Sequence, residues 1–315
     1  MRRILVTGAS GFVGLEVARA LAGRGAEVIA FDLAVGAGLA ALSASSGTVR
    51  VVQGEITEFS TVAELVKDHA PDAIVHCAAI VGVPASIAAP FRTFEVNVGG
   101  SLNLLEAMRL FGVRRMIHLS TEEIYGPFET SAATEDHPQR PLMAYGISKL
   151  AVEQLGRSYR ALHGLECIHI RTCWVYGPHL PRSRIPKNLL DAALAGRPLH
   201  LTEGGDFIVD HTHISDCVQG IVLALDKSDH PFDAYNIGSG QATSVREMVE
   251  IVKSLVPGAD LSVGPGNYTY GGGMPMVKKG ALDISRARQV LGYEPRFDLR
   301  AGLADYLREA RSRPG

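Results

Sequence analysis

The chain lacks most features of a membrane, secreted or nucleic-acid-binding protein. Its 315 residues contain no apolar run long enough to cross a bilayer, which takes roughly 18 residues. The opening "MRRILVTGASG" has two arginines but meets glycine before an apolar stretch of signal-peptide length can form. Cysteine is scarce: Cys77, Cys167, Cys173 and Cys217 are scattered with no C-x-x-C pair. That argues against a disulfide framework and against a zinc site, and it leaves reduced, buried thiols as the expectation. Charge is nearly balanced at −2 net, with pI about 6.6, so no basic excess speaks for nucleic acid or an anionic membrane surface. Repeats, low-complexity tracts and long charge runs are absent too. The expectation is a soluble, cytoplasmic protein with no metal centre.

What the chain does have is apolar material, 46% of residues, in an alternating pattern. "RILVTG", "EVIAFD", "VRVVQG", "AIVHCA", "RMIHLS" and "ECIHIR" read as strands. Helical segments lie between them. In one, Phe91, Phe94, Val98, Leu102 and Leu105 recur at three- and four-residue steps, as on one helix face. Strand–helix alternation predicts an α/β protein with a doubly wound parallel sheet of Rossmann type. After about residue 177 the rhythm breaks at the Pro/Gly-rich "GPHLPRSRIPKN" and "GPGNYTYGGGMPMVKKG". Ser244 and Glu247 there have capping-box spacing. The expected division is a dinucleotide-binding unit over 1–176, rejoined by 213–240, and a smaller α/β substrate unit over 177–212 and 241–315.

"VTGASGFVG" follows the first strand and opens the first helix, with Gly8, Gly11 and Gly14 as its glycines. Glycine admits a pyrophosphate close to the backbone, and the helix N-terminus offers free N–H groups. Ser10, Phe12 and Val13 complete this cradle. Asp32 ends the second strand, where a carboxylate accepts from a ribose 2′-hydroxyl and repels a 2′-phosphate, favouring NAD over NADP. The plain alternative for Asp32 is a solvated strand-end acid. Farther on, "AYGISK" sets Tyr145 and Lys149 one helical turn apart. An ammonium beside a phenol favours the phenolate, which can then take a hydroxyl proton as hydride leaves the same carbon. A surface Tyr–Lys pair is the plain alternative.

Together these stretches make the chain resemble an extended short-chain dehydrogenase/reductase of the NAD-dependent epimerase/dehydratase family. The likeness runs nearly end to end, through "TGASGFVG", "GEI", "HCAA", Asn97, "LSTEEIYG", "YGISK", "RTCWVYGP", "HISD", "YNIGSG" and "LDISRARQVLGYEP". It implies NAD as cofactor and a sugar or nucleotide-sugar as substrate. Thr121 would bond the reacting oxygen beside Tyr145, and Lys149 would also bind the nicotinamide ribose. Glu55 and Ile56 would lie at the adenine, and Ala78 and Ala79 along the cofactor. Asn97 would be a structural or water-holding residue, unless it is a helix-surface amide. Family members commonly pair as homodimers through the helices carrying Asn97 and Tyr145.

The resemblance gives Glu122 and Glu123 a meaning. Relatives that dehydrate sugars end this strand Thr-Asp-Glu, an acid followed by a base, and decarboxylating relatives carry Thr-x-Glu. Simple 4-epimerases need no carboxylate there. Thr121-Glu122-Glu123 therefore points to proton transfer beside a transient ketone, or else to solvated strand-end charge. Elsewhere the family pattern breaks. Val209 stands where a diphosphate-binding arginine is usual, "GGGMPMVKKG" lacks a second one, and Trp174 replaces an asparagine. Arg182, Arg184 and Lys187, with Lys278 and Lys279, are candidate substitutes, or a solvated set. Val81 and His211 are further candidate substrate contacts. His211 and His213 have ligand-like H-x-H spacing but no evident third ligand.

The expected activity is oxidation of a secondary hydroxyl to a transient ketone, ending in epimerisation, dehydration or decarboxylation. The alternative is net dehydrogenation of a free sugar acid or small hydroxy acid, which the missing arginines favour. A non-catalytic NAD sensor is the remaining class, and the intact Thr121–Tyr145–Lys149 set speaks against it.

Overall fold

A computed structural model describes residues 2–270 and 274–312. Glycines 271–273 of the second Pro/Gly-rich stretch lie outside the described residues. Seven parallel strands form the central sheet: β1 (Arg3–Thr7), β2 (Glu27–Asp32), β3 (Val49–Gln53), β4 (Ala73–His76), β5 (Arg115–Thr121), β6 (Glu166–Thr172) and β7 (Ala234–Ile237). Their order is β7-β6-β5-β4-β1-β2-β3. The six expected strands are all present, and β7, inside the "YNIGSG" region, completes the edge. The chain is thus the predicted doubly wound α/β fold.

The helices used below are α1 (Phe12–Gly23), α2 (Ala37–Ser45), α3 (Phe59–His69), α4 (Gly100–Phe111), α5 (Ala144–His163), α6 (Lys187–Leu194), α7 (Ile214–Asp226), α8 (Val245–Leu255), α9 (Ser285–Leu291) and α10 (Leu299–Ser312). Strand residues alternate between two cores. Ile4, Val6, Val28 and Ile117 pack with Val17 and Leu21 of α1 and Ile221 of α7. Leu5, Ile29, Ile74 and Met116 pack with Val62 of α3 and with Leu104 and Met108 of α4. Both faces are covered, which is why these strands read as continuous apolar runs.

A third core joins α6, α8 and α10 through Leu189, Met248, Val249, Leu303 and Leu307. Here Ser244 caps α8 with the expected reciprocal pair: its hydroxyl accepts from Glu247 N, and the Glu247 carboxylate accepts from Ser244 N at 2.8 Å. Among the described residues, no helix is long and apolar enough to cross a membrane.

The apolar stripe from Phe91 to Leu105 does not form one core face. A short helix (Pro90–Phe94) is followed by a π turn (Glu95–Gly99) before α4 begins. The wider turn changes the phase of the stripe. Leu105 is buried, while Phe91 is 82% exposed and Phe94 and Leu102 lie open.

His76, His118, His169 and His211 are buried, and burial pushes His76 to about 3, His169 to about 4 and His211 to about 3, with His118 well below its ordinary 6.5. These rings are neutral in the folded chain, but they take up protons below about pH 6.5 once unfolded. The unfolded state then binds more protons, so stability falls as pH drops, by about 1.4 kcal/mol per pH unit for each histidine. His213 and His230 are buried and lowered as well, while the buried acids Glu122, Glu135 and Asp210 are raised and act in the opposite sense, three groups against six. Urea midpoints should therefore decline steadily below pH 6.5, and a flat profile there would contradict the burial of these rings.

Candidate active site

A parallel sheet opens a crevice at the carboxyl ends of its strands where the chain order reverses, here between β1 and β4. A cavity of about 1110 Å³ fills this crevice and continues under the C-terminal segments. Its wall carries Gly8, Ser10, Gly11, Phe12, Val13 and Gly14, then Asp32, Glu55 and Ile56, then Ala78, Ala79 and Val81. Beyond them come Thr121, Glu122, Glu123, Tyr145, Lys149, Trp174, Arg182 and Arg184. Two expected contacts stand behind this wall rather than on it: Asn97 and His211.

The cradle end fits a dinucleotide. A Cβ at Gly14 would sit 2.1 Å from the Gly8 carbonyl oxygen, and Gly8, at φ +68°, has the Ala78 backbone 2.6 Å from where its Cβ would be. Only glycine lets the turn lie this flat against the start of α1. Helix α1 has Gly11 as its N-cap and no side-chain cap, so its first N–H groups face the cavity unspent. The Asp32 carboxylate is held at the wall by Ser10 N at 2.8 Å and Ala34 N at 3.4 Å. Glu55 pairs with Arg92 Nη2 at 3.0 Å, a cavity-wall cation that the sequence reading did not name. Asn97 is buried. Its amide accepts from Ile80 N at 2.7 Å and donates to Ile80 O and to Ser148 Oγ, so it shapes the loop after Ala79 from behind the cavity wall.

At the centre, Thr121 ends β5 and Tyr145 opens α5, and the threonine hydroxyl lies near enough to the phenol to pull its pKa down. Here the structure corrects the electrostatics expected from Tyr145–Lys149 spacing. Burial raises Tyr145 to about 12, while Arg182, Thr121 and Arg184 pull the other way. The Lys149 ammonium is engaged elsewhere: it donates to Leu119 O at 2.7 Å and lies 3.3 Å from His118 Nε2. Burial lowers Lys149 to about 8, which still leaves it charged at neutral pH.

The two glutamates are not a solvated pair. Glu122 is buried, and Lys279 Nζ stands 3.6 Å from its Oε2 and 3.1 Å from Glu123 Oε2. Burial chiefly raises Glu122, to about 7; Lys279 opposes this and Glu123 adds to it. A carboxyl near 7 at a cavity wall can hold or release a proton at working pH. Lys279, one of the candidate phosphate cations, is thus spent on the glutamates, and Lys278 is exposed.

Arg184 lies over the Trp174 ring, 5.0 Å from its centroid. Its Nη2 donates to Val175 O, and its Nε is buried with no partner among the described residues. Burial lowers it to about 10. Arg182 is exposed and donates to Val81 O at 2.7 Å. Val209 is fully buried in the third core, on a short strand (Ile208–Asp210) against Ala242–Ser244, so no side chain from there reaches an anion. His211 is stacked edge-on against Trp174 and Tyr176, and His213 packs on Phe297 and faces Asp305 at 3.5 Å. The H-x-H pair diverges because its residues follow the strand's end.

Sequence reasoning missed Lys279 as the glutamates' partner, since 156 positions separate it from Glu123 and no local pattern links them. It also passed over His118, although "AIVHCA", "RMIHLS" and "ECIHIR" each set one histidine late in an apolar strand.

Three comparisons place this geometry. The chain matches the family model described as the NAD dependent epimerase/dehydratase family over residues 4–238. It is 31% identical to the dTDP-glucose 4,6-dehydratase of Xanthomonas campestris pv. campestris (strain B100), over 95% of this chain and 90% of that protein. Its fold matches a UDP-glucose 4-epimerase from Thermotoga maritima, solved with UDP-glucose, at TM-score 0.88, 28% identity and 98% coverage of both chains. It also matches a dTDP-glucose 4,6-dehydratase from Streptomyces venezuelae, solved with NAD bound, at TM-score 0.86 and 30% identity, over 98% of this chain and 97% of that one. A dehydrogenase of free sugar acids has no counterpart among these three.

Removing Lys279 should expose the cost of the carboxyl pair. Lys279→Met leaves buried acid without its cation and is expected to destabilise by about 3–5 kcal/mol. The loss should shrink on the acid side of pH 7, where Glu122 takes up its proton, and grow on the alkaline side. Denaturant unfolding on both sides measures this, and a pH-independent loss would count against the pairing.

Proposed function

Since the chain belongs to the NAD-dependent epimerase/dehydratase family, we propose that it is a redox-neutral enzyme on a nucleotide-linked sugar, forming a transient ketone and moving a proton at the neighbouring carbon. The observation that carries this reading is the Glu122 carboxyl, buried beside Thr121 on the cavity wall and raised to about 7. In this reading residues 1–176 and 213–240 hold the cofactor, and 177–212 and 241–315 cover the sugar.

NAD, when bound, supplies the hydride acceptor and brings a positively charged ring into the cleft. The chain's own residues do the rest. Gly8, Gly11, Gly14 and the N-terminus of α1 hold the pyrophosphate, and Asp32 takes a ribose hydroxyl. Thr121 fixes the reacting hydroxyl against Tyr145, which accepts its proton. Burial holds that phenol protonated, so the nearby cations must favour the phenolate before it can act as a base. Once a ketone has formed, the adjacent C–H is acidified, and Glu123 removes that proton while Glu122 donates one to the leaving hydroxyl. Arg184, with Arg182 beside it, faces the substrate's anionic part. A buried guanidinium without a carboxylate partner is costly until an anion meets it.

Apolar side chains left open on the Pro90–Phe111 segment and on α5, among them Phe91, Leu110, Phe111, Ile147 and Leu162, support a homodimer through this face.

In D2O, product from the wild-type enzyme should carry solvent deuterium at the carbon beside the former ketone. Glu122→Gln should lower kcat about a hundredfold. As a general acid Glu122 must hold its proton, so kcat should fall as pH rises through about 7. Full turnover by the variant, or product free of deuterium, would leave plain 4-epimerisation as the activity. Arg184→Leu should raise KM for the nucleotide-sugar at least tenfold, about 1.4 kcal/mol, with less effect on kcat; an unchanged KM would remove Arg184 from the substrate site. Light scattering should give a dimer that Phe91→Glu splits, and a wild-type monomer would exclude the assembly.

A further inference from the structure

Strands β4, β5 and β6 place three histidines side by side. His76 is in register with His118, and His118 with His169. All three are buried on the sheet face beneath α4 and α5. His76 and His118 are stacked at 5.7 Å, and His118 meets His169 edge-on at 5.3 Å. Buried imidazole is an expensive filler for a strand that could carry valine, so the row calls for an explanation.

The hydrogen bonds give each ring a direction. An ammonium only donates, so Lys149 Nζ, at 3.3 Å, makes His118 Nε2 an acceptor. A neutral imidazole with Nε2 bare carries its proton on Nδ1. That N–H points at His169 Nδ1, 3.1 Å away, which must accept. His169 then carries its proton on Nε2, and this atom is buried with no partner among the described residues. His76 is outside this chain. Its Nε2 donates to Ser101 Oγ, because that hydroxyl is already donating to Asn97 O, and its Nδ1 accepts from Thr7 Oγ1.

We propose that His118 is a positioning residue for Lys149, and that His169 selects the His118 tautomer that can accept from the ammonium. The inference rests on the reading of Lys149 as a cofactor-binding residue. Leu119 O alone would leave the ammonium free to swing about one bond; two acceptors from β5 fix it so that its remaining N–H points to the cleft. Burial keeps both imidazoles neutral, so neither repels the ammonium. The orphaned Nε2–H of His169 is the cost of holding the tautomer. Gly156 of α5 makes room for that ring, since a Cβ there would lie 2.9 Å from His169 Cε1.

Two measurements test this. In the wild-type protein, 15N-resolved imidazole spectra should show the proton on Nδ1 of His118 and on Nε2 of His169; a proton on His118 Nε2 would overturn the proposal. Titration calorimetry with NAD should then show His118→Phe binding about tenfold more weakly. His118→Gln, whose side-chain oxygen falls near the Nε2 position, should restore most of that affinity. His169→Phe, which cannot touch Lys149, should weaken binding partway by freeing the His118 tautomer. Equal affinity in folded His118→Phe, or no recovery in His118→Gln, would also overturn it. If His118→Phe does not fold, the spectra and His169→Phe decide. A wild-type protein that binds no NAD would instead refute the cofactor reading, and the tautomers would still be readable.

Discussion

Lys279 between Glu122 and Glu123 is the contact on which the cleft depends. It comes from a segment far along the chain and reaches the carboxyl end of β5, with its side chain buried. The neighbouring backbone follows it in: Ala281–Leu282 pairs with Ala132–Ala133, and Lys278 O accepts from Phe128 N. These ion pairs thereby hold the two glutamates together at the cavity wall and join the late part of the chain to the sheet. Such a contact adds little net stability, because desolvation offsets most of the attraction, but it specifies one arrangement.

Desolvation also sets the protonation states around it. The same burial raises Glu122 and Tyr145 and lowers Lys149 and Arg184. Each group is pushed toward its uncharged form, which brings Glu122 and Lys149 near neutral pH, where proton transfer is efficient, and takes Tyr145 away from it. Behind the wall the charges are matched more fully. Glu153 binds Arg171 through two oxygens and takes the Ser120 hydroxyl, tying α5 to β5 and β6 directly under Tyr145 and Lys149. Tyr145 and Lys149 thus stand on a rigid base.

The substrate end departs from the family pattern in a coherent way. Where an arginine is usual, Val209 has joined the third core, and Trp174 has become a platform for Arg184. A guanidinium stacked on indole is oriented without a carboxylate, so its charge stays available to an anion. His211 supports the platform from behind and does not line the cavity.

The sequence by itself determined the sheet and the cofactor cradle. Both are local: a glycine triad after a strand, an acid ending the next strand and an apolar run for each buried strand are all read within a few residues. It also determined which residues end β5 and begin α5, and hence that Thr121, Glu122, Glu123, Tyr145 and Lys149 share one cleft. Tertiary structure alone decided what each of them does electrically. The cation that one-turn spacing assigned to Tyr145 belongs to Leu119 O and His118, the glutamates belong to Lys279, and the apolar stripe through Phe91 was turned outward by a π turn. The physical reason is that protonation depends on burial and on partners brought from distant segments, and neither is encoded by spacing along the chain.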